Sequence, residues 1–414
     1  MDVAQVTKEL ENLLSDYLVR EGGQDQTGAY NMVFEITIPG KDLVFPLAFG
    51  KARADSAAPM TAAHQFHTAS IAKTMTATLI LQLWESGSLG AKGLDTPLGE
   101  LDVFDPDVLK KLHVKEGQSY GAEITLRQLL THTSGLKDPY GDDANGTAFD
   151  YGNQPAPGSI SARWHMEMVK MASGELSAED PSAFIRKNWR PWDPSQPDNP
   201  DAGMVNFYLH HLGTSPVASP GEVHHYSDTG FVILALIAER LSGKSYHRQL
   251  RDQIFDPLGL NSTYLAYATD PATGPWEKEI SDCYAGPFPL VTSGFNFSFD
   301  WGGGGAVTTA GELNTFLYAL LNGKLFKKTD TLKEMIAWRT FKGLSGLENK
   351  TGLGIFCKEN KEKGTVLWGH GGAWGGVMYH EPAGGIYISG TVNQLFGVPA
   401  GWLDNLIETL KDSI

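Results

Sequence analysis

The chain has 414 residues, 41% of them hydrophobic and 20% charged, the balance of an ordinary globular protein with a sizeable core. Its 33 basic and 48 acidic residues leave a net charge of −15, which argues against nucleic acid or an anionic membrane as partner and says nothing about chemistry. Two cysteines, Cys283 and Cys357, read as buried free thiols of a reducing compartment.

The chain begins with an amphipathic, acidic stretch that predicts a helix over residues 3–19 and lacks the apolar core of a secretion signal. No stretch is long and apolar enough to span a bilayer, so a cytoplasmic location is the default expectation. Four N-x-S/T sequons, at Asn145, Asn261, Asn296 and Asn349, matter only in a secretory pathway. Strands follow at Tyr30–Ile38 and Leu43–Gly50, joined by the turn Pro39-Gly40-Lys41-Asp42. A long helix covers Ile71–Glu85, where Met75, Leu79 and Leu83 recur at four-residue spacing and Ser86-Gly87 stops it. Residues 124–131 form a short helix capped by Thr125.

From about 137 to 218 the sequence is rich in Pro, Trp, Asp and Gly, with one helix near 161–173; Trp164, Trp189 and Trp192 argue for a packed irregular insertion over one face. Helices at 228–242 and 310–322 end at Gly243 and at Asn322-Gly323. The last quarter is strand-rich, at Gly352–Cys357, Thr365–Trp368, Val377–Glu381 and Gly385–Val392, with a final helix over about 399–412. Strands at both ends with helices between them imply an α/β (α+β) fold of two lobes. The α/β lobe spans about 1–75 and 300–414, and a helical lobe of about 76–299 is inserted in it.

Ser70-Ile71-Ala72-Lys73 places a hydroxyl and an amine on one face of a starting helix. A serine hydroxyl becomes nucleophilic when a neighbour accepts its proton, and a desolvated lysine is such a neighbour. The helix start adds free N–H groups and a positive dipole end. The spacing recurs at Ser134-Gly135-Leu136-Lys137, but Gly135 and Pro139 mark that stretch as a helix end and turn. Two further segments bear on Ser70. Tyr226-Ser227-Asp228 offers a phenol whose proton is labile beside an ammonium. Gly369-His370-Gly371-Gly372-Ala373-Trp374 offers a strand end bare of side chains, with an N–H for an oxyanion. The pairs His210-His211 and His224-His225 lack the acidic or cysteine partners of a metal site, and G-x-S-x-G is absent.

In this order, S-x-x-K, Y-S-D and H-G-G resemble the serine β-lactamase and penicillin-binding-protein superfamily, in its class C-like branch with D-Ala-D-Ala carboxypeptidases, D-aminopeptidases and β-lactamase-like esterases. The phrases Leu126–Leu136, Asp256–Leu260 and Gly303–Thr309 extend the resemblance over nearly the whole chain. It implies a single β-lactamase-like domain over 1–414, an antiparallel sheet flanked by terminal helices, and a site in the cleft between the lobes. It further implies that Ser70 forms an acyl-enzyme, that Lys73 and Tyr226 share the proton work, and that the N–H groups of Ser70 and Ala373 form the oxyanion hole. Asp228, His370, Gly371, Gly372 and Trp374 would face the substrate, and no metal or cofactor is called for.

Two departures shift the expected substrate. Asp228 stands where the branch usually has Asn, and His370 where it has the Lys of K-T-G. Losing a permanent cation weakens recognition of a β-lactam or peptide carboxylate. Asp228 adds a negative charge that favours the Lys73 ammonium or attracts a substrate amine. Hydrolysis of a small carboxylic ester is therefore the leading expectation. An amidase or D-aminopeptidase acting on amino-bearing amides, an acyltransferase, and an inactive binding scaffold are the alternatives.

Overall fold

The computed structural model describes residues 3–18, 29–148, 155–177, 180–268, 280–398 and 401–413. Helix α1 (Val3–Ser15) precedes a hairpin of β1 (Asn31–Ile38) and β2 (Leu43–Gly50). Helices α2 (Ala72–Glu85), α3 (Asp228–Ser242) and α4 (Ala310–Leu321) follow. The C-terminal part contributes β3 (Arg339–Lys342), β4 (Glu348–Thr351), β5 (Phe356–Asn360), β6 (Thr365–Gly372), β7 (Gly376–Glu381), β8 (Ile386–Thr391) and α5 (Trp402–Ser413). The eight strands form one sheet in the order β3-β4-β5-β6-β7-β8-β1-β2, each neighbouring pair antiparallel.

Two-residue alternation sorts this sheet between two cores. In β1, Met32, Phe34, Ile36 and Ile38 face a layer made by α1 and α5, where Val6, Leu10 and Leu14 meet Leu406, Ile407 and Leu410. The opposite face of β1 meets α4, whose Asn314 amide donates to the Glu35 carbonyl at 2.9 Å. The large core lies on that side, between the sheet and the helices α2, α3 and α4. β8 is buried on every residue because both of its faces are covered. No helix among the described residues is long and apolar enough to cross a membrane.

The observed elements refine several expectations. The first helix ends at Ser15, and residue 19 lies outside the described residues. The cap at Thr125 is a full capping box: Thr125 Oγ1 accepts from the Gln128 N–H at 3.2 Å, and Gln128 Oε1 accepts from the Thr125 N–H at 2.9 Å. Helix α2 is not amphipathic but buried all round from Ala72 to Leu81. Its threonines tolerate this because their hydroxyls are bonded, Thr74 to the Gly354 carbonyl at 2.9 Å and Thr76 to that of Gly302 at 2.6 Å. The insertion has a second helix, Met204–His211, and buries Trp164 and Trp189; residues 149–154 and 178–179 of it lie outside the described residues. Both cysteines are free and buried.

The largest correction concerns β6. The strand does not stop at Trp368 but runs through Gly372, so His370-Gly371-Gly372 is strand and not turn. β5 pairs with it only as far as Gly369, whereas β7 follows it to Gly372, opposite Gly376. That leaves His370–Gly372 with β7 on one side and no strand on the other. A Cβ on Gly372 would lie 2.3 Å from the Thr68 carbonyl oxygen, so absence of a side chain lets β6 press against the turn that carries Ser70. Gly372→Ala is expected to push that turn away and to destabilise the fold by about 1–3 kcal/mol, as overpacking does, measured by urea denaturation.

Candidate active site

Ser70 sits in a single 3-10 turn, Ala69–Ile71, that leads directly into α2. The turn is strained and pinned. Ala69 adopts φ 47°, a left-handed conformation that costs a non-glycine residue about 1–3 kcal/mol. Thr68 anchors it, its N–H and its Oγ1 both donating to the Ala306 carbonyl at 2.9 Å. Ser70 itself is only partly buried, whereas Lys73, one helical turn on, is 0% exposed.

Lys73 Nζ donates to Ser70 Oγ at 3.0 Å, to the Gly303 carbonyl at 2.6 Å, and to Asp228 Oδ1. An ammonium has three N–H bonds, and all three are spent. The Asp228 carboxylate is 7% exposed, so this is a buried ion pair. Asp228 was expected to face the substrate; its carboxylate instead belongs to Lys73 and is not available to hold a substrate amine. Tyr226 lies on the other flank of the ammonium, with Lys73 Nζ 4.9 Å from its ring centroid. The Tyr226 ring stacks on His132 at 4.2 Å between centroids and meets His370 edge-on at 6.3 Å.

His370 has its Nδ1 2.6 Å from the Gly371 carbonyl. A carbonyl only accepts, so Nδ1 carries the hydrogen and Nε2 is a bare acceptor, without a hydrogen-bond partner among the described residues. Burial, with the charge of Lys73 beside it, pushes the imidazole pKa down to about 3, so the ring is neutral where a lysine would be charged. Gly371 and Gly372 line the open side of β6, and Ala373 follows, anchored by the Phe396 N–H donating to its carbonyl at 2.7 Å. Trp374 was also expected at the substrate. It is instead buried in an aromatic cluster with Phe295, Phe297 and Phe299.

The other S-x-x-K has a structural task. Lys137 Nζ donates to the carbonyls of Asp143, Ala144 and Gly146 at 2.6, 3.3 and 3.3 Å, clasping the loop that follows it. Of the histidine pairs, His225 Nε2 meets Asp142 Oδ2 at 2.7 Å and His224 stands edge-on to His132. His211 packs on Phe207, with His210 against it.

Residues that the sequence reading did not single out complete the surroundings. His132 Nδ1 accepts from the Ser227 N–H at 3.1 Å, fixing the backbone just after Tyr226. Asp138 Oδ1 accepts from the Asp228 N–H at 3.3 Å. Burial, joined by the negative charges of Asp228 and Asp142, holds the Asp138 carboxyl well above the carboxylate range. Asp300 is raised in the same way by burial and by Asp228. The run Gly302–Gly305, which follows Asp300 after Trp301, was the available signal, since consecutive glycines mark a close approach.

Buried neutral histidines make the fold acid-sensitive. Burial lowers His67 and His370 to about 3 and His224 to about 4, from an ordinary 6.5. In the unfolded chain each takes a proton below about pH 6.5, in the folded chain only far lower, so unfolding binds protons across that window. The histidines' contribution is expected to be full above pH 6.5 and to fall as pH drops toward 4, by up to about 1.4 kcal/mol per pH unit for each. It is offset in part by Asp138 and Asp300, whose raised pKa values act in the opposite direction. Denaturation midpoints measured across pH 4–7 check this. Asp228→Ala would strand the Lys73 ammonium and cost about 3–5 kcal/mol of stability, read from the same denaturation at pH 7.

Comparison with known proteins agrees with this geometry. The Beta-lactamase family model matches residues 18–407. Serine beta-lactamase-like protein LACTB, mitochondrial, of Mus musculus is 24% identical over 322 residues, covering 72% of this chain. The matched region spans 55% of that relative's own length. Among solved structures, D-amino acid amidase from Ochrobactrum anthropi SV3 superposes with a TM-score of 0.70 at 20% identity, over 99% of both chains. D-stereospecific amidohydrolase from Streptomyces sp. does so with 0.64 at 22% identity, over 99% of this chain and 98% of that one. At such identities the likeness is one of fold. The chain belongs to the Beta-lactamase family.

Proposed function

We propose that this chain hydrolyses small carboxylic esters through an acyl-enzyme on Ser70. The observation that carries the reading is the Ser70–Lys73 hydrogen bond, with all three ammonium hydrogens engaged. An ammonium so bonded has no lone pair to accept the Ser70 proton. Tyr226 is then the base: its phenolate, favoured by the adjacent ammonium, takes the proton as Ser70 Oγ bonds to the ester carbonyl carbon. The N–H groups of Ser70 and Ala373 receive the oxyanion. As the carbon–oxygen bond breaks, Tyr226 returns the proton to the leaving alcohol. Water then attacks the acyl carbon, giving a proton to Tyr226, which passes it to Ser70 Oγ as the acyl–oxygen bond breaks. The acid departs, and both the hydroxyl and the phenolate are restored.

The neutral His370 supports an ester over a β-lactam. A carboxylate finds no permanent charge at that point of β6. Amide hydrolysis is the second reading, favoured by the two structural neighbours that are named as a D-amino acid amidase and a D-stereospecific amidohydrolase. The engagement of Asp228 with Lys73 weighs against its amino-bearing form.

Ser70→Ala is expected to lower kcat on an activated ester by about 10³-fold or more, and Tyr226→Phe by about 10²–10⁴-fold. Stoichiometric labelling of Ser70 by a fluorophosphonate accompanies the active form; no loss on Ser70→Ala would refute the reading. Parallel assays of an ester, an amide with a free amine and its N-acylated twin separate the two readings. Preferred turnover of the free amine would favour the amidase.

A further inference from the structure

One buried group touching the site has no task in that scheme. Asp300 is 7% exposed and lies at the junction of the turn Phe297–Asp300 with the helical turn Trp301–Gly304. A Cβ on Gly304 would lie 1.8 Å from Asp300 Oδ2. A Cβ on Gly303 would lie 2.8 Å from both Asp300 Oδ1 and Asp228 Oδ1. The glycine run is thus the opening through which one carboxyl reaches the other. The backbone is strained to aim it, Trp301 having φ 29°.

Asp300 Oδ1 and Asp228 Oδ1 flank the same point, each 2.8 Å from where a Cβ on Gly303 would stand, so the two carboxyl groups face each other across that glycine. Two carboxyl groups bond to each other only when one carries a proton, because a carboxylate has no donor. Asp228 Oδ1 already faces the Lys73 ammonium, which can neutralise one negative charge and not two. Asp300 Oδ1 is buried with no hydrogen-bond acceptor or donor of its own among the described residues, an orphan if ionised and satisfied if it carries a proton toward Asp228. The remaining charged or titratable groups around it are Tyr140 and Tyr246, both buried. Burial and the Asp228 charge raise the Asp300 pKa well above the carboxylate range, against the opposing pull of Lys73.

We propose that Asp300 is a positioning residue of this site: its protonated carboxyl donates to Asp228, holds that carboxylate on Lys73, and so holds Lys73 against Ser70. The proposal deepens, and rests on, the reading of Ser70 and Lys73 as catalytic. Asp300→Asn keeps a donor and cannot ionise; Asp300→Leu keeps the volume and has no donor. On an activated ester, Asp300→Leu is expected to lower kcat about thirtyfold with KM within about twofold, the scale of one lost hydrogen bond to a charged group. Asp300→Asn is expected to retain about a third of kcat or more, its amide replacing the donor. Equal losses in the two variants would overturn the proposal. Infrared difference spectra of wild type against Asp300→Asn at pH 7 decide independently of turnover, and remain decisive if Asp300→Leu does not fold. Loss of a protonated-carboxyl carbonyl band supports the proposal, and loss of carboxylate bands overturns it. An unchanged rate in Ser70→Ala would remove the catalytic reading alone, because the infrared band would still report the Asp300 proton.

Discussion

The structure around Ser70 depends on keeping one ammonium charged in a place with no water. Lys73 is fully buried, and an unpaired charge there would be prohibitively costly. Asp228 supplies the counter-charge, Gly303 a carbonyl and Ser70 a hydroxyl, so each N–H has an acceptor and the amine has one position available. These partners come from the turn that leads into α2, from the start of α3 and from the glycine run before the strand Ala306–Thr308. Bringing them together is what sets the packing of the helical layer on the sheet.

Several locally unfavourable features are arranged around that charge. Ala69, His132 and Trp301 all adopt positive φ, and each adjoins a member of the cluster or supports one. Such conformations persist only where the surroundings over-determine them. Here the surroundings are hydrogen bonds from Thr68 to Ala306, the stack of His132 on Tyr226, and glycines that admit close backbone approach. The site is rigid because its strain is held from several directions at once.

Much of this was legible in the sequence. Ser70 and Lys73 share a helix face by spacing, and the structure brings Tyr226 and His370 to the same ammonium from more than 150 residues away. The terminal helices and the cap at Thr125 follow from local pattern, and the antiparallel sheet was implied by the family resemblance. The rest depends on tertiary contact. Asp138 and Asp300 look like ordinary loop acids until burial protonates them. The hairpin β3–β4, with polar stretches such as Glu-Asn-Lys-Thr, lacks the apolar alternation that marks a half-buried strand. The spacing of Met75, Leu79 and Leu83 marks one buried face of α2 but not that its threonines are buried too, their hydroxyls satisfied by carbonyls. Asp228 read as a candidate partner of the substrate because sequence order says nothing of which neighbour claims a carboxylate first.

The charge balance of the cluster bears on how a ligand arrives. One ammonium meets one carboxylate, while burial pushes Asp138 and Asp300 toward their neutral forms and His132 and His370 toward theirs. The pocket therefore projects little field of its own, inside a chain whose net charge is −15. Long-range steering toward Ser70 is repulsive for an anion and indifferent for an uncharged molecule. Encounter with a neutral ligand then becomes a matter of diffusion and fit, with an association rate nearly independent of ionic strength.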